Sequence, residues 1–372
     1  MVFLTKIYKK LLLYFFTIKD IGYKRIIRRL IYISKNTINK KFFKFILSNY
    51  SNLYKYNNWI NINFDQQNKK AKLFTFPKPY KFEFDINNEI KIFDANSIWT
   101  GPYPNRLWEF NLQYFNWAIL SITECSNDSD LEKKLFNISC LIDSWISYQS
   151  VNHSDGWHSY TLSIRIRNWI WLFRFFPYLI TIKRLNSLWE QIYWLYKNQE
   201  YYLEGNHYLE NLISLIIGSL QFEGKESKEV LQISLFNLEN ELKKQILNDG
   251  GHFERSASYH LSLLESLTIL GYWIQIFKNK RPIWLVKSIK KMFKWSLKVH
   301  LKNGKYPRFN DSIFDKQINI KNINNFAYIY LYQNKLFKEK KLTKDDQYKF
   351  LRNFKKVKVN KLNNLKFDVT TK

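Results

Sequence analysis

The chain has 372 residues, 46% of them hydrophobic and 18% aromatic, with only 10 glycines and 7 prolines. So much apolar surface can be buried that ordinary disorder is excluded, and so few turn formers disfavour a many-turned all-β fold. Lys and Arg number 59 against 31 acids, a formal net charge of +28, which attracts polyanions: nucleic acid, anionic membrane or acidic glycan. Lys, Asn and Ile are used heavily together, so drift in composition explains the excess as readily as a ligand does. Two cysteines, Cys125 and Cys140, lie in apolar helix-like stretches. They read as buried thiols and exclude a disulfide scaffold, and no Cys/His cluster has zinc-ligand spacing.

Residues 1–60 read as a basic helical segment. The apolar run Leu11–Ile18 is shorter than the roughly 20 residues that span a bilayer. Bases precede it but no small-residue cleavage site follows, so it is a poor export signal. Lys24–Lys44 is basic and partly amphipathic, through Ile26, Ile27, Leu30, Ile31 and Ile33. It suits a solvated helix, or peripheral contact with an anionic membrane surface. Residues 61–105 change character. Alternation over Lys72–Phe76 and Tyr80–Phe84, punctuated by Pro77, Pro79, Pro102 and Pro104, predicts strand and loop wrapping another body.

Three- and four-residue apolar spacing then predicts helices over Leu107–Cys125, Leu131–Gln149, Leu162–Phe176, Leu188–Leu203, Tyr208–Phe222, Lys228–Leu247, Ala257–Phe277 and Pro282–His300. Short connections make neighbours antiparallel. The fold class is therefore mainly α: an incomplete α/α toroid of antiparallel helix pairs over residues 106–315, preceded by the strand segment. A solenoid is the alternative, and the absence of a fixed-period repeat argues against it. Asn324–Phe337 predicts one more helix. Residues 316–372 form a Lys-rich tail with a strand signal at Phe354–Val359, read as the start of a truncated β-domain.

Four polar motifs interrupt this aromatic helical chain. Gly205-Asn206-His207, followed by Glu210 and Asn211, reads as a Gly stop and an Asn cap, or as a functional turn. Asp249-Gly250-Gly251-His252-Phe253-Glu254-Arg255-Ser256 turns at its Gly pair and offers Ser256 as a cap, with Tyr259 and His260 in the next turn. It is a solvated loop or a site. In Gly156-Trp157-His158-Ser159-Tyr160, with Arg165, Arg167 and Trp169, aromatics and arginine suit a sugar platform, since Arg pairs bidentately with carboxylate or sulfate. A core helix with a buried, acid-paired Arg is the alternative. Asn303-Gly304 and Pro307-Arg308-Phe309-Asn310-Asp311-Ser312 read as a turn and a polar loop. Two of these motifs lie at helix N-termini, which favour anions, and in a toroid such ends can converge on one cavity.

Taken in order, NLQYFNW (Asn111–Trp117), GWHSYTLSIRIRNW (Gly156–Trp169), GNHYLEN (Gly205–Asn211), DGGHFERSASYH (Asp249–His260) and RFNDS (Arg308–Ser312) resemble the heparinase II/III family of polysaccharide lyases. The resemblance implies an α/α toroid followed by a β-sandwich domain, and cleavage of uronate-containing glycans by β-elimination without metal or other cofactor. A base takes the proton alpha to a neutralised carboxylate, and the departing oxygen is protonated. By motif, Asn206 would hydrogen-bond the uronate carboxylate, and Tyr259 would transfer the proton with His207 beside it. A tyrosine titrates near about 10, so as a base it would need cationic or donor neighbours. His207, His260 and Arg255 are the nearest in sequence. His252, Glu254, Arg255, His260, Arg165, Trp157, Tyr160 and Asn310 are the implied substrate contacts. The implied partner is acidic polysaccharide, and the implied location is the periplasm or cell envelope.

Only 60 residues follow Ser312, and related lyases take a further catalytic histidine from the β-domain. The enzymatic expectation, a carbon–oxygen lyase, therefore stands beside two others: a β-domain supplied by a separate chain, and a non-catalytic acidic-glycan-binding protein of polysaccharide biosynthesis or processing. A glycoside hydrolase would need paired carboxylates, for which Asp249 and Glu254 are the candidates. No nucleic-acid motif is present, and the bases are spread along the chain.

Overall fold

The computed structural model describes residues 22–54, 58–60, 81–86, 88–123, 125, 127–149, 154–203, 205–301, 305–312 and 319–332. The apolar run at 11–18, the alternation at 72–76, the turn at 303–304 and the tail beyond 332 lie outside them. The first elements are α1 (Tyr23–Lys41), α2 (Phe43–Tyr54), β1 (Asn58–Trp59), β2 (Lys81–Ile86) and β3 (Glu89–Asp94). β2 and β3 form an antiparallel hairpin that pairs Lys81 with Asp94 and Ile86 with Glu89. Period-two alternation turns Phe82, Phe84 and Ile86 inward, against the helices that follow.

Those helices are α3 (Arg106–Tyr114), α4 (Asn116–Thr123), α5 (Asp128–Gln149), α6 (Ser159–Phe175), α7 (Ile182–Lys197), α8 (Asn206–Ser219), α9 (Lys225–Gln245), α10 (Ala257–Lys278), α11 (Ile283–Lys298) and α12 (Ile320–Tyr332). Strand β4 (Phe222–Glu223) returns to pair with β1. Helices α6, α8 and α10 are apolar on nearly every side, so each must be enclosed. All of α8 from Leu209 onward is buried. The three lie side by side as an inner layer, and α7, α9 and α11 pack outside them with one face in water. This is the layered arrangement of an α/α toroid. The sequence reads α3 and α4 as one helix, but Phe115 breaks it with φ 61°. Phe115 is fully buried, stacked on Trp99, and the carbonyl freed at Tyr114 accepts from Asn168 Nδ2 at 2.8 Å.

Three arginines are sealed inside the walls. Arg165 is wholly buried. It donates to Gln191 Oε1 (2.8 Å), the Gln113 carbonyl (3.1 Å) and the Gly156 carbonyl (2.7 Å), and lies 4.0 Å over the Trp145 ring. Arg174 bridges Gln221 and the Ile60 carbonyl. Arg184 binds Asp143 through both of that carboxylate's oxygens. A buried cation costs several kcal/mol unless its donors are satisfied, and at Arg165 carbonyls and an amide do this without an acid.

The 247–256 loop that leads into α10 is also anchored inward. Gly250 adopts φ 94° and donates to the Leu247 carbonyl at 3.0 Å, and a Cβ there would collide with the Lys291 carbonyl oxygen. His252 is buried with Nε2 3.0 Å from Gln245 Oε1. His260 is buried with Nε2 3.1 Å from the Met292 carbonyl and its ring 4.2 Å from that of Trp295. Desolvation pushes His252 down to about 4 and His260 down to about 3.

Two predictions follow from this anchoring. Gly250→Ala should lower the unfolding free energy by about 2 kcal/mol or more in urea titration, through clash and strain together. The histidines set a pH slope. In the unfolded chain each takes a proton below its ordinary value of about 6.5, whereas the folded chain refuses it until far lower pH. Stability is thus full above pH ~6.5 and falls as pH drops, by roughly 2 kcal/mol per histidine by pH 5. Urea midpoints at pH 7 and pH 5 should show this, and His260→Phe should flatten the slope.

Candidate active site

The inner helices α6, α8 and α10 begin at one end of the layer, and their first turns meet there. Gly205 precedes α8 as its cap residue, so Asn206 is the first helical residue and not the cap that sequence spacing suggests. Glycine offers no capping side chain, and the cap comes from another loop: Glu254 Oε1 accepts from the Asn206 amide at 2.7 Å. A Cβ on Gly205 would sit 2.9 Å from that oxygen, so a side chain here would push the carboxylate off the cap. The Asn206 carboxamide is half-buried and has no hydrogen-bond partner among the described residues.

Helix α10 starts as its sequence suggests. Ser256 Oγ accepts from the Tyr259 amide, and also lies 2.9 Å from Ser312 Oγ. Asn310, at φ 48°, donates from Nδ2 to the Glu254 carbonyl at 3.0 Å. The fourth sequence motif is thereby docked on the second. The Tyr259 phenol is half-buried, and burial, with Asp311 and Glu254 nearby, pushes its pKa up. Its electrostatic neighbours are acids, not the cations that sequence proximity suggested. Arg255 is exposed at the rim, with φ 54°.

Beyond Asn206 the site continues through Glu200, which is buried between α7 and α8 with relative exposure of 1%. Its Oε1 lies 3.4 Å from His207 Nδ1 and 3.7 Å from His158 Nε2. Its Oε2 is buried without a hydrogen-bond donor among the described residues. His207 stacks on Tyr160 with centroids 4.2 Å apart. Burial of Tyr160, beside Glu210, pushes its pKa well up, and desolvation lowers that of His158 against the pull of Glu200. Arg167 joins the three inner helices below this rim, to Glu210 Oε2 at 2.7 Å and to Ser266 Oγ at 2.9 Å. A small cavity of about 80 Å³ opens beside His158, bordered by Tyr32, Asn36, Arg106, Asp155 and Ser159.

The structure therefore brings together Asn206, His207, Tyr160, Glu254 and Tyr259, with Arg255 and Asn310 beside them. It takes four expected substrate contacts away from the surface. Arg165 and Trp157 are core residues, and His252 and His260 are sealed behind the 247–256 loop. Each fills a packing or backbone-bonding role that leaves no face for a sugar. The proposed hydrolase pair is not formed either, since Asp249 is exposed and accepts from its own turn at Gly251 (2.9 Å) while Glu254 caps α8. Sequence reasoning missed Glu200 and gave His158 no role. The available signal was an acid next to the Tyr201-Tyr202 pair in the aromatic run before Gly205.

The matched family is the heparinase II/III N-terminus, over residues 35–338. Of solved structures, a heparan sulfate lyase HepC mutant from Pedobacter heparinus is similar at 19% identity and TM-score 0.51, over 68% of this chain and 42% of that one. A structure of heparinase III is similar at 18% identity and TM-score 0.50, over 67% and 40%. The chain thus spans about two fifths of each of these structures, and the likeness is one of fold. No curated protein matches. With more than three quarters of its length matched by that family, the chain belongs to the heparinase II/III N-terminal family.

Proposed function

We propose that this chain is the helical, substrate-holding part of a lyase that cleaves uronate-containing acidic glycans by β-elimination. The observation that carries the reading is the meeting of a free Asn206 carboxamide, the Tyr259 phenol and a carboxylate-held His207 at the N-termini of adjacent inner helices. Helix ends and the Asn206 amide group would neutralise the uronate carboxylate, so that charge developing on removal of the alpha proton is stabilised.

Burial and neighbouring acids keep Tyr259 protonated, which suits it to give its proton to the departing glycosidic oxygen. With Nδ1 turned to Glu200, His207 keeps its proton there and leaves Nε2 as an acceptor for the alpha proton. The C–H electron pair becomes the new double bond, the C–O bond breaks, and the leaving oxygen takes the tyrosine proton. The heparan sulfate lyase named among the similar structures supports acidic polysaccharide as the substrate class. The excess of 59 bases over 31 acids also favours a second reading, in which the cleft binds such glycans without turnover.

Unsaturated uronate released from a panel of acidic polysaccharides, followed by ultraviolet absorbance, separates the two. The lyase reading expects release that Tyr259→Phe and Asn206→Ala each reduce by roughly 100-fold or more. Salt-sensitive binding with no unsaturated product, the fold being intact by circular dichroism, would instead establish the binding reading. Glu200→Gln should cut kcat about tenfold or more. Because the carboxylate favours charged His158, its loss should also lower the pKa of His158, followed by NMR titration. A packing role alone would leave that titration in place.

A further inference from the structure

Helix α1 packs the wrong way round for a soluble protein. The stripe it turns to the body is polar: Tyr32, Asn36 and Asn39, with Asn39 the buried member. Asn39 Nδ2 donates to Asn198 Oδ1 at 2.5 Å, the Lys35 ammonium donates to the Lys197 carbonyl, and the Tyr32 ring meets Tyr202 at 4.4 Å. The opposite stripe, at i, i+4, i+7, i+8 and i+15, is Tyr23, Ile27, Leu30, Ile31 and Ile38, each more than half exposed (66, 51, 58, 54 and 57%). Phe42 and Phe45 extend it at 52 and 69%.

Seven bases and no acid lie on α1. Of these, Lys24 falls on one flank of the apolar stripe and Arg29 on the other, while the Lys35 ammonium is held by the body and Lys40 borders the cavity. An apolar stripe framed by cations is the pattern of a helix lying in a lipid headgroup layer. From this we propose that α1 docks flat on an anionic lipid surface, with Ile27, Leu30 and Ile31 in the acyl boundary and the flanking bases among lipid phosphates. Charge selects this occupant. A second copy would bring seven more cations against the first seven, and residues 1–20 carry four lysines against one aspartate, so both repel where an anionic lipid attracts. Docking in this way would hold the cavity between α1 and α6 at the bilayer surface. The proposal is independent of any catalysis.

The test is flotation of the full chain with vesicles of phosphatidylcholine alone and of phosphatidylcholine mixed with phosphatidylglycerol. The proposal expects binding to the mixed vesicles at least about tenfold above the neutral ones, weakened by salt. Two variants separate the contributions, Ile27→Gln/Leu30→Gln/Ile31→Gln and Lys24→Gln/Arg29→Gln/Lys41→Gln. All six side chains are exposed, so circular dichroism should be unchanged while each triple loses about tenfold or more in binding. Three results would overturn the proposal: no preference for anionic vesicles, an apolar triple that binds as the parent does, or an apolar triple that turns a dimer into a monomer by light scattering. The last would assign the face to a second copy.

Discussion

The hydrogen bond from the Asn206 amide to the Glu254 carboxylate, 2.7 Å long, ties the start of one inner helix to the loop that starts the next. Helix α8 has a glycine where a capping side chain normally stands, and a helix end without a partner is costly to bury. The 247–256 loop supplies that partner, and in doing so brings Tyr259 to the same rim. The approach is close enough that a Cβ on Gly205 would displace the carboxylate. The loop is held from behind by buried His252, buried His260 and the tight turn at Gly250. The candidate cleft thus rests on a rigid back wall, the condition for preorganised groups at a reacting centre.

Burial decides which polar residues can act on a ligand. The inner layer holds a continuous polar seam: Arg167 joins Glu210 and Ser266, and Asn211 donates to Ser163 while accepting from the Glu200 amide. Its members satisfy one another, as buried polar groups must. Asn206, with its free carboxamide, the part-exposed His207, the half-buried phenol of Tyr259 and the exposed Arg255 are the groups left for a ligand. The same principle removes Arg165, the most attractive anion-binding residue in the sequence, because three acceptors and a tryptophan face already enclose it.

Much of the fold was legible because periodicity reports burial. The predicted helix Ala257–Phe277 matches α10 to within a residue, and Tyr80–Phe84 became β2. The break at Phe115 was not legible, since a buried aromatic in left-handed conformation follows from tertiary packing and no glycine or proline marks it. At the site, the motifs gave Asn206, His207 and Tyr259, but not which histidines face the cleft. His252 and His260 look equivalent to His207 in sequence, and only their contacts with Gln245, Met292 and Trp295 set them apart. Glu200 was invisible because its importance comes from two histidines that lie 42 and 7 residues away along the chain.

The central claim, that Glu254 fixes the start of α8 from across the cleft, is tested most directly by amide hydrogen exchange. Peptides covering residues 205–212 would be compared between the parent protein and Glu254→Ala. The account predicts that exchange at the start of α8 rises about tenfold or more in the variant while the core of α6 stays protected. Unchanged protection over residues 205–212 would contradict it, because α8 would then be capped without the carboxylate on which the cleft is built.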